Sequence, residues 1–371
     1  MSDINLKVLE LRKMKGISQL ELANILGISF QSISKWENGI SMPDIILLPK
    51  IAQIFNVSVD QLLGLKPLES EEYIRRNTDH REYWNENSNA VDISKKYFWN
   101  KDYLKFLIDN VWNISRPIDI IDFRCGDGSF GRDLMKLLPE GSTYTGVDNK
   151  YFVQKAKENI KAENISFKFI ELNLYNFKEN KKYDLAICQT ALRHMNNPIC
   201  ILKNMIDSVK INGLIICIEV NREFEEKGLF IDGISYSEIC TSFDFHKLWE
   251  KELECEGRDY SIGIKLPFYM EKLGLKDINI RMNDKVIYVN PNMNDYCKKL
   301  EDFKTINGWN KYISDENKEK IIALFMNRGI NRVDAENYIK IQSKISEFFK
   351  EDNLRKSFLK VPSLFITYGR K

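Results

Sequence analysis

The feature that most constrains the fold of this chain is an apolar run followed by two glycines and, further on, an aspartate. The run "IDIIDF" spans residues 118–123, the glycines are Gly126 and Gly128, and Asp148 follows Gly128 by 20 residues. A short buried strand that turns through glycines into an amphipathic stretch is typical of a parallel sheet covered by helices.

Four more apolar segments continue this pattern, with amphipathic stretches between them. They are "STYTGVD" (142–148), "ISFKFIEL" (165–172), "YDLAICQ" (183–189) and "GLIICIEV" (213–220). The alternation predicts an α/β, doubly wound (Rossmann-like) sheet. Ligands of such sheets bind at the carboxyl ends of the strands.

Polar and glycine residues fall at those strand ends. Gly126 and Gly128 allow the backbone to approach a ligand, and a carboxylate at Asp148 can accept both hydroxyls of a ribose. The segment "CQTALRHMNNP" follows the fourth strand and adds polar groups beside the same pocket. Together they predict a cofactor that carries a nucleoside. A dinucleotide site is an alternative, through a G-x-G-x-x-G pattern from Gly126 to Gly131.

Residues 117–220 resemble the class I S-adenosylmethionine-dependent methyltransferases in "IIDFRCGDGSFGRDLMKLLPEGSTYTGVD" and "ELNLYNFKENKKYDLAICQTALRHMNNP". The resemblance implies S-adenosyl-L-methionine as the cofactor, with the glycines at its methionine and ribose portion. It places the adenine beside Asn173, which replaces the acid common there, and Leu174. The full set of implied cofactor-binding residues is Asp122, Arg124, Gly126, Gly128, Asp148, Asn173, Leu174, Gln189 and Thr190.

Arg124 departs from the pattern, because it replaces the first glycine of the loop. We expect a non-glycine residue to be tolerated at this position if its φ is negative. The arginine could then pair with the carboxylate of the cofactor.

The resemblance also implies a seven-stranded sheet with a reversed last hairpin. Segments 275–289 and 363–371 would supply strands six and seven, with a helical insertion at about 292–358 between them. The methyltransferase domain is thus expected over 105–371. Residues 66–104 would form a linker and an N-terminal helical lid, rich in aromatic side chains that include Tyr83, Trp84, Tyr97, Phe98, Trp99 and Tyr103.

The methyl acceptor is harder to predict. The segment after strand four lacks the Asn/Asp-Pro-Pro-Tyr-like sequence that cradles a flipped base, and no Pro-Cys pair is present. Both absences favour a small-molecule acceptor. His194 is the candidate general base, with a structural histidine as the alternative. Glu219 and Arg222 are expected near the acceptor.

Residues 1–65 show five short helical segments separated by turns. Ser18 and Glu21 form a capping-box pattern, Gly27 makes a tight turn, and Ser29 opens the segment "FQSISKWEN". The stretch resembles the Cro/repressor (xenobiotic-response-element type) helix-turn-helix family in "ISQLELANILGIS", "QSISKWENG" and "LPKIAQIFNVSVDQLLG". The residues implied to bind double-stranded DNA are Gln19, Ser29, Phe30, Gln31, Ser32 and Lys35.

Charge limits how this module could bind DNA. Six basic residues in 1–65 are balanced by six acidic ones, so a monomer should bind weakly and a homodimer on a palindromic site is expected. Over the whole chain, 55 basic and 53 acidic residues give a formal charge of +2, which excludes a strong global attraction to nucleic acid or membrane.

Composition sets the remaining expectations for this chain of 371 residues. Its seven cysteines include no C-x-x-C pair, which predicts reduced thiols and no metal site. The start "MSDINLKVLE" is unlike a signal peptide, and no apolar run approaches the roughly 20 residues of a membrane span, so we expect a cytoplasmic protein.

The sequence therefore predicts a DNA-binding transcriptional regulator fused to a methyltransferase that acts on a small molecule. Two alternatives stay open. The protein could be a non-catalytic sensor of S-adenosylmethionine or S-adenosylhomocysteine, or a nucleic-acid methyltransferase targeted by its helix-turn-helix domain.

Overall fold

A computed structural model describes residues 4–66, 68, 73, 89–160, 166–178, 180–239, 245–310, 314–350 and 355–371. Most of the predicted linker, with Tyr83 and Trp84, lies outside these residues. So do short pieces of the predicted helical insertion, at 311–313 and 351–354.

Short helices form the amino-terminal part of the chain, and strands and helices alternate through much of the rest. The helices are α1 (Val8–Lys15), α2 (Gln19–Leu26), α3 (Phe30–Glu37), α4 (Leu48–Phe55), α5 (Val59–Leu62), α6 (Lys101–Phe106), α7 (Ser129–Met135), α8 (Lys150–Asn159), α9 (Pro198–Ser208), α10 (Arg222–Glu226), α11 (Tyr236–Ile239), α12 (Phe245–Glu256), α13 (Ile262–Lys272), α14 (Tyr296–Asn307), α15 (Asp315–Asn327) and α16 (Arg332–Phe348). The strands are β1 (Asp119–Phe123), β2 (Thr143–Asp148), β3 (Phe167–Glu171), β4 (Tyr183–Gln189), β5 (Val209–Val220), β6 (Leu229–Ile231), β7 (Lys276–Met282), β8 (Ile287–Val289), β9 (Phe358–Lys360) and β10 (Leu364–Arg370).

The chain divides into two compact units. The first contains residues 1–76, 241–255 and 311–351, and the second contains 77–240, 256–310 and 352–371.

The first unit begins with the short helices α1 to α5, as the sequence predicts. Ser18 and Glu21 form a capping box at the start of α2, and Gly27 closes that helix with a φ of +71°. Ser29 accepts a hydrogen bond from the N–H of Ser32 at the start of α3. The faces of these helices that carry Leu22, Ile33, Trp36 and Ile51 make one apolar core.

Helices α12, α15 and α16 complete the first unit. Their apolar side chains form a core of their own, which includes Leu248, Phe325 and Ile339. Within it, Nε of Arg328 donates to Oε1 of Glu252 at 2.7 Å, and both side chains are fully buried.

The second unit is built on a seven-stranded sheet in the order β3-β2-β1-β4-β5-β10-β7. Strands β1 to β5 pair in parallel, and β10 runs antiparallel to both of its neighbours, β5 and β7. Successive residues of a strand point to opposite faces. Ile120 accordingly enters one apolar core while Ile121 and Phe123 enter another, so the sheet is covered on both faces.

The predicted strand at 275–289 is in fact two strands. β7 belongs to the large sheet, while β8 joins β6 and β9 in a separate three-stranded antiparallel sheet that the sequence did not predict. The polar segment 283–285 separates them, and Asn283 there donates its side-chain N–H to the carbonyl of Phe98 at 2.5 Å. In the part of the chain that the structure describes, no helix is long and apolar enough to cross a bilayer.

Candidate functional site

The loop after β1 carries three residues in the left-handed region of backbone space. Their φ angles are +68° at Arg124, +58° at Gly126 and +76° at Gly128. The expectation of a negative φ at Arg124 is therefore wrong. The N–H groups of Arg124 and Cys125 both donate to the carbonyl of Val147, at 2.8 and 3.3 Å, and this pairing with β2 turns the backbone into the strained conformation.

The two glycines of the loop have different surroundings. A Cβ at Gly126 would meet nothing within 4 Å, so the backbone there borders open space that a ligand can fill. A Cβ at Gly128 would lie 2.7 Å from Cδ1 of Ile160, so this glycine permits close packing of the loop. Gly131 is also needed for packing, because a Cβ would lie 2.3 Å from the ring of Tyr144.

Asp148 is fully buried at the end of β2. Its carboxylate accepts hydrogen bonds from the N–H of Gly126 at 2.9 Å and of Asn149 at 2.7 Å, and Nη1 of Arg124 lies 3.7 Å away. Burial raises the pKa of Asp148, although Arg124 and these N–H groups act in the opposite direction. The carboxylate thus fixes the N–H of Gly126 in the glycine loop.

Asp122 lies beside it, near the end of β1. Oδ2 of Asp122 accepts a hydrogen bond of 2.5 Å from the hydroxyl of Tyr144, while Oδ1 is buried and has no partner among the described residues. Burial raises the pKa of Asp122 to about 7, against the effect of the Tyr144 hydroxyl and with a further contribution from the charge of Asp148. The sequence pattern did not single out Tyr144.

The remaining predicted cofactor residues lie at the carboxyl ends of β3 and β4. Asn173 accepts a hydrogen bond from the N–H of Tyr175 at 3.0 Å, and Leu174 next to it is buried. Thr190 has a φ of +51°, which is costly for a β-branched residue, and its N–H donates to the carbonyl of Ile218 at 2.7 Å. Gln189 accepts a hydrogen bond from Trp99.

Trp99 belongs to a segment that we call the strap, residues 89–103, which contacts this edge of the sheet. Nε1 of Trp99 donates to Oε1 of Gln189 at 3.0 Å, and its ring stacks on Phe130 with centroids 6.0 Å apart. Lys95 forms an ion pair with Asp127 of the glycine loop at 2.9 Å. Burial raises the pKa of Asp127, but Lys95 and the hydrogen bonds from Ser129 together outweigh it and lower the pKa. The aromatic residues of this segment predicted a lid, but no sequence feature indicated that Lys95 contacts the glycine loop.

His194 follows β4, and Glu219 lies near the end of the neighbouring β5. The buried carboxylate of Glu219 accepts from the N–H of Ala191 at 2.8 Å and of Leu192 at 2.6 Å, and lies 3.5 Å from Nη1 of Arg193. Burial raises its pKa to about 7. Nε of Arg193 donates to Nε2 of His194 at 3.1 Å. Burial and nearby guanidinium groups, that of Arg193 foremost, lower the pKa of His194, so its imidazole is neutral at pH 7.

In the first unit, the predicted DNA-contacting residues lie on α3 and at the start of α2. Phe30, Gln31 and Lys35 are exposed on α3, and Ser32 is half-buried with its hydroxyl 2.9 Å from that of Ser29. Gln19 donates its side-chain N–H to Glu37 at 2.6 Å.

Glu37 also forms an ion pair with Arg12, whose Nε lies 2.5 Å from Oε1 of Glu37. Burial raises the pKa of Glu37, but the hydrogen bonds from Arg12 and Gln19 outweigh it and hold the pKa below its usual value. The network fixes α1, α2 and α3 to one another, and so orients the outer face of α3.

Fold and site together define the class of each part. A seven-stranded sheet with an antiparallel last strand, a glycine loop after β1 and an acid at the end of β2 is the Rossmann-like methyltransferase fold. The tight turn between α2 and α3, with short polar residues opening α3, is a helix-turn-helix.

Comparison with known proteins agrees with both assignments. A family described as "Helix-turn-helix" matches residues 8–62, and one described as "Methyltransferase domain" matches residues 114–259. The chain is 25% identical over 177 residues to the ubiquinone biosynthesis O-methyltransferase of Rickettsia canadensis, which covers 47% of this chain and 69% of that protein. It is 41% identical over 73 residues to the antitoxin PezA of Streptococcus pneumoniae, which covers 19% of this chain and 46% of that protein.

Among solved structures, the plantazolicin methyltransferase BpumL in complex with SAH is 17% identical, with 80% of this chain and 91% of that chain covered and a TM-score of 0.38. The YcgJ protein of Bacillus subtilis is 12% identical, with 73% and 98% covered and a TM-score of 0.39.

The chain thus carries a helix-turn-helix domain followed by a methyltransferase domain. The dinucleotide alternative is not supported. The residues present fit the cofactor of this class, because Gly126 borders open space and Oδ1 of Asp122 is a buried acceptor with no partner in the described structure.

Proposed function

We propose that this protein is a transcriptional regulator that also transfers a methyl group to a small molecule. One observation carries the proposal. A single chain holds both a recognition face on α3 and a methyltransferase domain whose glycine loop borders open space. The curated relatives of the second domain are O-methyltransferases, which supports transfer to an oxygen of the acceptor.

In this proposal Asp122, Gly126 and Asp148 hold the methionine and ribose portion of S-adenosylmethionine, and Asn173 with Leu174 border the adenine. Gln189 and Thr190 lie by the methionine portion, and the guanidinium of Arg124 pairs with its carboxylate. The bound sulfonium supplies an electrophilic methyl group. The chain's own residues align the acceptor with it and exclude water.

His194 is the residue that we propose as general base. Its neutral imidazole is the form that can take a proton, but Nε2 already accepts a hydrogen bond from Arg193, so proton transfer to Nε2 requires that bond to break. Glu219 acts through the turn at 191–193, which its carboxylate fixes, and Arg222 lies beside the acceptor.

For the first domain we propose that a homodimer binds double-stranded DNA through Gln19, Ser29, Phe30, Gln31, Ser32 and Lys35. The balanced charge of residues 1–65 supports the need for two copies, because few phosphates are neutralised by each. The described cysteines are free thiols, in keeping with a cytoplasmic protein.

Calorimetric titration of the full chain with S-adenosylmethionine and S-adenosylhomocysteine tests the core of the proposal. Both should bind, and transfer of a radiolabelled methyl group to a panel of catechols and other hydroxylated metabolites should follow. Arg124→Ala should weaken cofactor binding about tenfold, as expected for loss of a charged hydrogen bond. Arg116→Ala, which removes an exposed arginine before β1, is the matched control. If neither compound binds, the proposal fails.

A sensor without catalysis is the second candidate. One observation favours it: Nε2 of His194, the candidate base, already accepts a hydrogen bond from Arg193. Binding without methyl transfer across the panel would favour the sensor.

A further inference from the structure

Two segments that are distant in sequence meet at the carboxyl end of β5. The N–H of Asn221 donates to the carbonyl of Ser363 at 3.2 Å, and that of Val361 donates to the carbonyl of Gly228 at 2.8 Å. Nζ of Lys360 donates to the carbonyl of Glu225 at 3.1 Å. These bonds bring together Asn221, Arg222 and Lys360, which we call the basic patch.

The basic patch carries two cations, Arg222 and Lys360. Arg222 forms an ion pair with Glu225. Lys360 is half-buried, and within the described part of the chain its ammonium forms no ion pair and contacts the Glu225 carbonyl. The carboxylate of Glu225 thus lies near both Arg222 and Lys360. Burial raises the pKa of Glu225, but these two cations and Arg193 together outweigh it and lower the pKa. Burial and the charge of Arg222 lower the pKa of Lys360, against the charges of Glu225 and Glu226.

Hydrogen-bond donors without acceptors accompany this charge. Asn221 is fully buried, and its Oδ1 accepts from the N–H of Glu223 at 3.0 Å. Nδ2 of Asn221 has no acceptor among the described residues. A buried amide donor of this kind costs free energy unless a ligand or water accepts from it. The ammonium of Lys360, with three donors, is engaged at one carbonyl. The amide of Asn221 and the ammonium of Lys360 therefore favour a ligand that accepts hydrogen bonds and carries negative charge.

The position of the patch relates it to the acceptor. Asn221 comes two residues after Glu219, at the same edge of the sheet as the loop of Arg124 and Gly126. Arg222 and Arg124 both act electrostatically on His194, and the backbone of Arg222 lies against Tyr260, whose ring is 6.0 Å from that of His194. The patch thus borders the region between the cofactor loop and the candidate base.

We propose that Asn221, Arg222 and Lys360 bind an anionic group of the methyl acceptor, a carboxylate or a phosphate. The role of this group in methyl transfer rests on the proposed function. Anion binding itself does not, because it can be measured without cofactor.

The test is calorimetric titration of the full chain with three probes that share one ring: 3,4-dihydroxybenzoate, 3,4-dihydroxyphenyl phosphate and the neutral 3,4-dihydroxybenzamide. One of the two anions should bind at least tenfold more tightly than the amide, and the stronger anion identifies the group. Lys360→Gln should remove this preference, while Lys360→Arg, which keeps the charge, should retain most of it. Lys227→Gln removes an exposed lysine that follows α10 and lies outside the patch, and it should have no effect.

Equal binding of all three probes, or equal loss in the Lys360→Gln and Lys227→Gln variants, would overturn the proposal. Thermal unfolding of each variant separates loss of the site from loss of the fold. If the anion preference is present but S-adenosylmethionine does not bind, the methyltransferase proposal fails and the anion site stands.

Discussion

Asp122 is a carboxyl group that the fold buries with one hydrogen bond, from Tyr144. Its pKa is raised to about 7, so the native state keeps the proton that the unfolded state releases near pH 4. The contribution of Asp122 to stability is therefore fully present below about pH 4 and is lost as pH rises through 7. Asp122→Asn stays neutral and should gain stability relative to the natural protein between pH 5 and 8, by about 3 kcal/mol.

Urea unfolding at pH 5 and pH 8 measures this change. Asp119→Asn is the control, because the pKa of Asp119 is lowered by its hydrogen bond to Thr143 and its ionisation is complete at both pH values. The Asp119 variant should differ from the natural protein by the same amount at pH 5 and pH 8. Parallel profiles for the Asp122 variant would show that this carboxyl ionises normally.

Arg124 adopts a φ of +68°, which costs a residue with a Cβ roughly 1–2 kcal/mol. Arg124→Gly and Arg124→Ala both remove the ion pair with Asp148, but glycine also relieves the backbone strain. We expect the glycine variant to be about 1 kcal/mol more stable than the alanine variant in urea unfolding. Equal stability of the two would mean that the loop relaxes to a negative φ once the arginine side chain is gone.

In the loop after β1, the positions of residues could be predicted from the sequence, but their backbone angles and hydrogen bonds could not. The positions of Gly126 and Gly128 in the loop after β1, and of Asp148 at the end of β2, could be predicted because strand, turn and acid have fixed spacing. The φ of Arg124 could not, since it follows from hydrogen bonds to the carbonyl of Val147 on a neighbouring strand. The hydrogen bonds that Asp148 accepts from the N–H groups of Gly126 and Asn149 have no sequence signal either.

Among the elements, the strap can report on the cofactor site. Trp99 bonds to Gln189 and stacks on Phe130, so a ligand that displaces Gln189 changes the surroundings of the indole. We expect S-adenosylhomocysteine to change the tryptophan fluorescence of the full chain, and Trp99→Phe to lose most of that change. Trp309→Phe alters a buried tryptophan after α14 and serves as the control. A signal that persists in Trp99→Phe would mean that the strap does not respond to the ligand.

The strands show the same division between what sequence can and cannot predict. β1 to β4 lie within two residues of the predicted segments, because each is a short apolar run bounded by polar residues. β6, β8 and β9 have three residues each, too few for a periodic signal. Their pairing joins residues 229–231, 287–289 and 358–360, and only the folded chain brings these together. Lys360 was missed for this reason.

At the scale of the whole molecule, the chain alternates between its units. Residues 311–351 were predicted as part of an insertion in the methyltransferase domain, and they group with the helix-turn-helix residues in one compact unit. Each unit contains three segments, so the chain passes from one unit to the other five times. Apolar periodicity predicts that such helices pack, but not which partner they pack against.

Because five chain connections join the two units, we predict energetic coupling between cofactor and DNA. Coupling is reciprocal: if S-adenosylhomocysteine changes the affinity for DNA by some factor, DNA changes the affinity for S-adenosylhomocysteine by the same factor. We expect a factor of about five or more, within the usual range of roughly 1–3 kcal/mol. Fluorescence anisotropy with a duplex selected from a random library, at fixed salt concentration, measures the first affinity, and calorimetry measures the second.

Gln31→Ala is the informative control for this linkage. Its exposed side chain lies on α3, so the variant should lose specific DNA binding while it keeps the calorimetric affinity for S-adenosylhomocysteine. Adding the duplex should then leave that affinity unchanged in the variant and shift it in the natural protein. If the duplex shifts neither, the two domains act independently, and the helix-turn-helix serves as a tether to DNA rather than as the output of a sensor.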